Sequence, residues 1–349
     1  MSRLILLFVF LFWQCRQAEQ PTDKQAIVPA ATNSRTIDTT KILQTIAFGS
    51  CNQQDRPQPL WTDIQAAQPD LWIWLGDNIY ADTDNMDTMR TMYQRTKNHP
   101  GYRGLREKAQ VIGIWDDHDF GANDAGKEYP MKKESQQLML DFLDVSSDAP
   151  QRKREGAYSS YVFGEAGKKV KIILLDARYF RDALKKNADN HNIPDPEGDV
   201  LGAAQWSWLE QELKTTGIDF WIIGSGIQIL PEEHRFEKWA NFPAARKRLL
   251  DLFSQNSIQN LVMISGDRHM AEISKISLEG LDQPVFEVTS SSLNAPWAAD
   301  REEPNQYRVG QKYIDINFGV MTINWDLRKV KMEVRKVGNM AAIEAEMSF

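Results

Sequence analysis

Near-continuous apolar runs of five or six residues constrain this chain more than any other feature. LWIWL (71–75), VIGIW (111–115), VKIILL (170–175) and NLVMI (260–264) largely lack the polar–apolar alternation of a strand with one wet face. Each therefore belongs in a sheet covered on both sides. Related runs at 42–48, 157–163, 219–224, 284–289, 317–325 and 329–335 complete the set of predicted strands. Apolar residues at helical spacing predict helices over 57–68, 84–98, 130–144, 203–215 and 242–256. A mixed α/β fold with two packed sheets accommodates this order better than one doubly wound sheet. Residues 182–202 and 294–312 read as long loops, which compact domains tend to reserve for function.

Five of the predicted strands break off in residues able to bind metal. They run into Gly49-Ser50-Cys51-Asn52, Gly76-Asp77-Asn78-Ile79-Tyr80-Ala81-Asp82, Asp116-Asp117-His118-Asp119, Asp176-Ala177-Arg178 and Ser265-Gly266-Asp267-Arg268-His269. In α/β folds the carboxyl ends of strands form the crevice in which ligands bind. Taken singly, Gly-Asp after a strand is an ordinary turn, and Arg178 could simply pair with a nearby acid. The Asp-Asp-His-Asp run is harder to treat that way, because three acids packed together repel unless cations or water separate them. Of the five histidines (99, 118, 191, 234 and 269), two fall in these acid-flanked ends.

The 349 residues carry 41 Lys and Arg against 48 Asp and Glu, a formal charge of −7. This balance argues against a nucleic-acid-binding surface. An anionic substrate then needs locally supplied positive charge, which metal ions can give. Residues 4–13, LILLFVFLFW, are about half of the ~20 apolar residues that span a bilayer. With Arg3 before the run and Cys15 after it, residues 1–15 read as a lipoprotein signal ending in a lipidated Cys15. Residues 16–40 read as a flexible tether and 41–349 as the folded body. The expectation is a periplasmic, outer-membrane or cell-surface protein whose membrane attachment runs through the N-terminal lipid alone. Cys51 would then be the remaining thiol in an oxidising compartment, tolerable if buried or held as thiolate by a metal.

FGSC (48–51), GDNIYAD (76–82), WDDHDFG (115–121), LDARYFR (175–181) and SGDRHMAEI (265–273), in this order over about 230 residues, resemble the alkaline phosphatase D family of metallophosphoesterases. The resemblance implies a four-layer αββα sandwich of the metallo-dependent phosphatase type. It implies a phosphoric ester hydrolase that uses Fe3+ together with Ca2+ on small-molecule phosphate esters, by attack of a metal-bound hydroxide. Carried over by position, Cys51 and Tyr80 are expected at a ferric site, with Asp77 bridging to a second metal. Asp117 and Asn123 are expected as ligands of that second metal, and Asp267 and His269 as the closing ligand pair. His118 is expected to protonate the leaving group and Arg178 to clamp the phosphate. The mixed donor set allows this: carboxylates suit calcium, magnesium or manganese, whereas thiolate, phenolate and imidazole suit iron or zinc. With no covering C-terminal helix in view, the site is expected to be open, and Trp239 and Trp297 are candidate linings. The rival reading is a non-catalytic calcium-binding surface lipoprotein, which needs neither Cys51 nor His118. A serine hydrolase is disfavoured, since no G-x-S-x-G elbow occurs.

Overall fold

The computed structural model describes residues 35–297 and 303–349. The expected signal and most of the tether lie outside the described residues. Residues 35–40, assigned to the tether by sequence, are part of the body. Arg35 donates its backbone N–H to Asp144 O, Asp38 donates to Gln110 Oε1, and Thr39 O accepts from Gly164.

Two six-stranded mixed sheets pack face to face. The first holds β1 (Thr45–Gly49), β2 (Leu71–Leu75), β3 (Gln110–Ile114), β12 (Phe318–Asn324), β13 (Lys329–Lys336) and β14 (Met340–Ser348), in the order β14-β13-β12-β1-β2-β3. The second holds β4 (Ser159–Phe163), β5 (Val170–Leu175), β8 (Phe220–Ser225), β9 (Leu261–Ser265), β10 (Ala271–Ile276) and β11 (Val285–Ser290), in the order β10-β11-β9-β8-β5-β4. A two-stranded hairpin, β6 (Lys185–Lys186) and β7 (Asn192–Ile193), stands apart.

The apolar runs are explained by where their two faces go. In β5, Ile172 and Leu174 join the core between the sheets, while Ile173 and Leu175 join a second core outside. Ile222 and Val262 point inward in the same way, and Trp221, Ile223, Leu261 and Met263 outward. This is the two-residue side-chain period of a strand with a layer on each face. The outer core is closed by α6 (Gly202–Glu212) and α7 (Pro243–Gln255), through Trp206, Leu209, Leu249 and Phe253.

On the other side, α1 (Trp61–Ala66), α2 (Met86–Asn98), α3 (Pro100–Lys108) and α5 (Lys132–Phe142) cover the first sheet. Trp61 of α1 meets Trp72 and Trp74 of β2 edge to face, each at 5.6 Å between ring centroids. Such aromatic contacts add to the area they bury. The result is the expected αββα sandwich. Strands β1, β2 and β3 run parallel, as do β5, β8, β9 and β11, so their carboxyl ends collect at one edge of the sandwich. Among the described residues no helix is long and apolar enough to cross a membrane.

Candidate metal centre

The strand ends converge closely. A Cβ at Gly226, just past β8, would lie 2.2 Å from Asp116 Oδ1. At Gly266, past β9, it would lie 2.6 Å from both Leu75 O and Ser50 Oγ. Only glycine permits this approach of three strand ends. Cys51, Asp77, Asp267 and His269 all adopt the left-handed backbone conformation, with φ of 58°, 50°, 67° and 53°. Non-glycine residues held there carry strain, which accumulates at functional sites. Cys51, Asp77 and Asp267 turn the chain directly after their strands, and His269 does so just before β10.

At one end of the crevice, the buried Cys51 thiol donates to Asp77 Oδ2 at 3.3 Å and lies 2.9 Å from Ser291 Oγ. Tyr80 donates its hydroxyl to the same Asp77 oxygen at 3.1 Å and sits 3.4 Å from His269 Nε2. His269 Nδ1 is held against the Ala295 carbonyl. That contact requires the hydrogen on Nδ1 and leaves the Nε2 lone pair for a ligand bond. Ser291 Oγ also accepts from His269 N at 2.7 Å, tying the Cys51 and His269 turns together.

At the other end, the short helix α4 (Asp117–Phe120) begins directly after β3. The three acids Asp116, Asp117 and Asp119 at its start have different jobs. Asp119 is structural: it accepts from Asp116 N (2.8 Å), Asp77 N (3.0 Å) and Asn78 Nδ2 (2.6 Å), holding the β2 and β3 ends together. Asp117 accepts from Asp124 N at 2.7 Å and stays near the crevice. Asp116 receives Arg178 Nε at 2.7 Å.

Among the described residues, four donor groups have ligand atoms within 4.8 Å of one another: Cys51–Asp77–His269, Asp77–Asp117–His118, Asp116–Asp117–Asp267 and Asp117–Asp124–Glu237. Asp77 joins the first two and Asp117 the last three, so the groups form one chain.

The donor set fits cations. Asp77 Oδ1 and Asp116 Oδ2 are buried acceptors with no hydrogen-bond partner, an arrangement that costs free energy unless a cation or proton is supplied. Burial and the Asp117 charge push the Asp77 carboxyl well up, and burial with the Asp116 charge does the same to Asp267. Burial and the Asp77 charge also push the Cys51 thiol and the Tyr80 phenol well up. Thiolate and phenolate at these positions therefore require a positive ion. Asp117 is the exception: burial would raise it, but Arg178 and His118 outweigh that and hold it at about 2.

The sequence expectations meet different fates. Cys51, Asp77, Tyr80, Asp117, Asp267 and His269 are brought to one crevice, and His118 with them. His118 stacks on Tyr80 at 4.1 Å, and its Nδ1 lies 2.8 Å from Asp82 Oδ2. Burial opposes its charge, yet Asp77 and the Asp82 hydrogen bond raise it to about 10.

Asn123 and Arg178 need correction. Asn123 is exposed, and its neighbour Asp124, turned by a φ of 56°, supplies the carboxylate near Asp117. Arg178 is fully buried, held by Asp116 and, at 2.6 Å, by Glu237. It is an internal ion-pair partner, not a phosphate clamp. Trp239 is core, donating to Ser225 Oγ at 3.1 Å. Trp297 is 45% exposed and meets His269 edge-on at 6.3 Å.

Sequence reasoning placed Asp82, Asp116 and Asp124 in the strand-end clusters without giving them a role, and missed Glu237 and Ser291 as members of the crevice. Ser291 stood in plain sight after a predicted strand. Glu237 lies in the connection from β8 to α7 and carries no such signal.

Comparison with known proteins gives the family and the fold. The sequence model of the PhoD-like phosphatases matches residues 46–334. Alkaline phosphatase D of Bacillus subtilis (strain 168) is 23% identical over 296 residues, covering 71% of this chain and 48% of that protein. The chain thus spans about half the length of this curated relative. Among solved structures, one titled "Structure of PhoD" superposes with a TM-score of 0.71 at 17% identity, over 88% of this chain and 69% of the other. Another, titled "GAP50 the anchor in the inner membrane complex of Plasmodium", gives 0.59 at 14% identity, over 88% and 90%. These two share the fold. The sequence match runs from β1 into β13 and takes in every strand-end cluster described above, and by it the chain belongs to the PhoD-like phosphatase family.

Proposed function

We propose that this protein is a metal-dependent phosphoesterase acting on small-molecule phosphate esters. The observation that carries the reading is the continuous chain of donor groups joined through Asp77 and Asp117. The Cys51, Tyr80 and His269 end suits iron, and the all-oxygen end around Asp116, Asp117, Asp124 and Asp267 suits calcium. Asp77 stands between them as the bridging candidate. Bound there, such ions supply the charge that neutralises a phosphoryl group and the acidity that activates a water.

The protein's own groups do the rest. Asp82 holds His118 Nδ1 and orients the ring, leaving Nε2 to donate a proton to the departing oxygen. The His118 side chain is 16% exposed, so it reaches a ligand from the crevice wall. Arg178 positions Asp116, and the Ser291 hydroxyl fixes the Cys51 and His269 turns. The rival reading, a purely structural calcium site, leaves Cys51 and the His118–Asp82 pair without a purpose.

The apolar run before Cys15 supports attachment through a lipid on that residue, outside the cytoplasm. Loss of radiolabelled-lipid incorporation in Cys15→Ser tests this. The activity itself is tested by metal analysis of the purified chain together with assays of p-nitrophenyl phosphate and its bis-ester. Turnover accompanied by bound iron and calcium is the expected result. Bound metal without turnover of either ester contradicts it.

A further inference from the structure

With Arg178 sealed inside the protein, positive charge facing a substrate has to come from elsewhere. A cavity of about 390 Å³ opens beside the metal centre, and Asp124 and Glu237 line both. Its outer wall comes from two segments distant in sequence: the β6–β7 hairpin, with Lys186 and His191, and the connection after β8, with Arg235. A molecule held by its phosphate at the Asp117 cluster has this cavity as its neighbouring space.

The wall is cationic in a specific way. Arg235 lies 3.2 Å from His191 Nε2, and among the described residues no carboxylate pairs with it. Lys186 lies 3.5 Å from Asp124, a long contact with an acid that belongs to the cluster around Asp117. A cation in that cluster takes up the Asp124 charge and leaves Lys186 uncompensated. Glu237 is already committed to Arg178 and Arg181. Asp189, on the hairpin turn, is the one further acid in the lining. Two cations against that single acid leave a net positive wall facing the place where a leaving group extends.

We propose that this cavity is a leaving-group subsite, and that the enzyme selects phosphate esters whose alcohol carries a second anionic group, received by Arg235 and Lys186. Guanidinium recognises carboxylate or phosphate through paired donors, whereas Lys acts as a point charge. The inference rests on the phosphoesterase reading, and the experiment separates the two.

Non-hydrolysable probes avoid dependence on turnover. Alkylphosphonates of two to six methylenes, and the ω-carboxylated phosphonates of the same lengths, are titrated calorimetrically into the full chain with its metals bound. Because the chain length that spans the cavity is read from the series, no distance need be assumed. At one length the carboxylated member is expected to bind about tenfold tighter, the scale of one charge-assisted contact. That preference is expected to fall to less than about twofold in Arg235→Ala and to weaken in Lys186→Ala. Both residues are exposed, so the variants retain the fold. Absence of a carboxylate preference at every length, or a preference that survives both substitutions, overturns the subsite while phosphonate binding upholds the phosphoesterase reading. Failure of every phosphonate to bind overturns both.

Discussion

The two ends of the crevice hold their ligands by opposite means. Around Cys51, the donors are spaced by neutral groups: the Ser291 hydroxyl, the Tyr80 hydroxyl and the Ala295 carbonyl. Around Asp117, carboxylates crowd together and a buried arginine holds them, Arg178 clasped between Asp116 and Glu237. The first end is uncharged until its thiol and phenol ionise, which a cation must induce. The second is charged from the start and already partly balanced. One crevice thereby offers a soft, ionisable pocket and a hard, preformed one, and Asp77 belongs to both sides of that division.

The comparison breaks in order of consequence. Asp77→Asn strikes both ends, and turnover is expected to fall about a thousandfold or more, with loss of both metals on elemental analysis. Cys51→Ser strikes one end: iron and any thiolate colour are expected to go while calcium stays, and equal loss of both metals would refute the division. Arg178→Met strikes the other end by stranding two buried acids. Removing one partner of a buried pair costs about 3–5 kcal/mol, so a large fall in melting temperature is expected. An intact melting temperature with a lost response to phosphate would restore the clamp role rejected above.

His118→Gln sharpens the picture further. Its kcat loss is expected to reach about a hundredfold for alkyl esters and to be slight for p-nitrophenyl phosphate, whose leaving group needs little protonation. Equal losses for both would contradict a proton-donor role.

A histidine outside both ends serves as a contrast. His234 is buried with neither ring nitrogen bonded, and burial together with Arg268, Lys238 and Arg308 holds it well below its ordinary value. A depressed histidine adds stability above about pH 6.5, where both states are neutral, and that stability is lost as pH falls and the unfolded chain takes the proton. The slope approaches about 1.4 kcal/mol per pH unit below 6.5. Denaturant unfolding between pH 5 and 7 is expected to lose this slope in His234→Gln.

Much of the sandwich was legible because its central strands are covered on both faces. The runs at 71–75 and 170–175 match β2 and β5 residue for residue. Two of the four edge strands were not: β10 (AEISKI) and β14 (MAAIEAEMS) mix charge into their runs and lack the apolar signature. Helix α3 was missed because PGYRGLREK contains two glycines. One of them, Gly101, packs where a Cβ would fall 2.5 Å from Trp61 Cβ. In the site, the type and strand-end position of a residue found most of the crevice, yet neither tells which way a side chain turns. Arg178 sits at a strand end and points inward to acids from two other segments. Asn123 and Asp124 are adjacent, and a left-handed turn decides which one reaches Asp117.

The most direct test of the central claim is X-ray absorption at the iron edge on the purified protein, with Cys51→Ser measured alongside. The account predicts iron bound by one sulfur with nitrogen and oxygen neighbours in the parent protein, and no such sulfur signal in the variant. Iron surrounded by oxygen alone, or a protein that binds no iron when calcium is present, would contradict it.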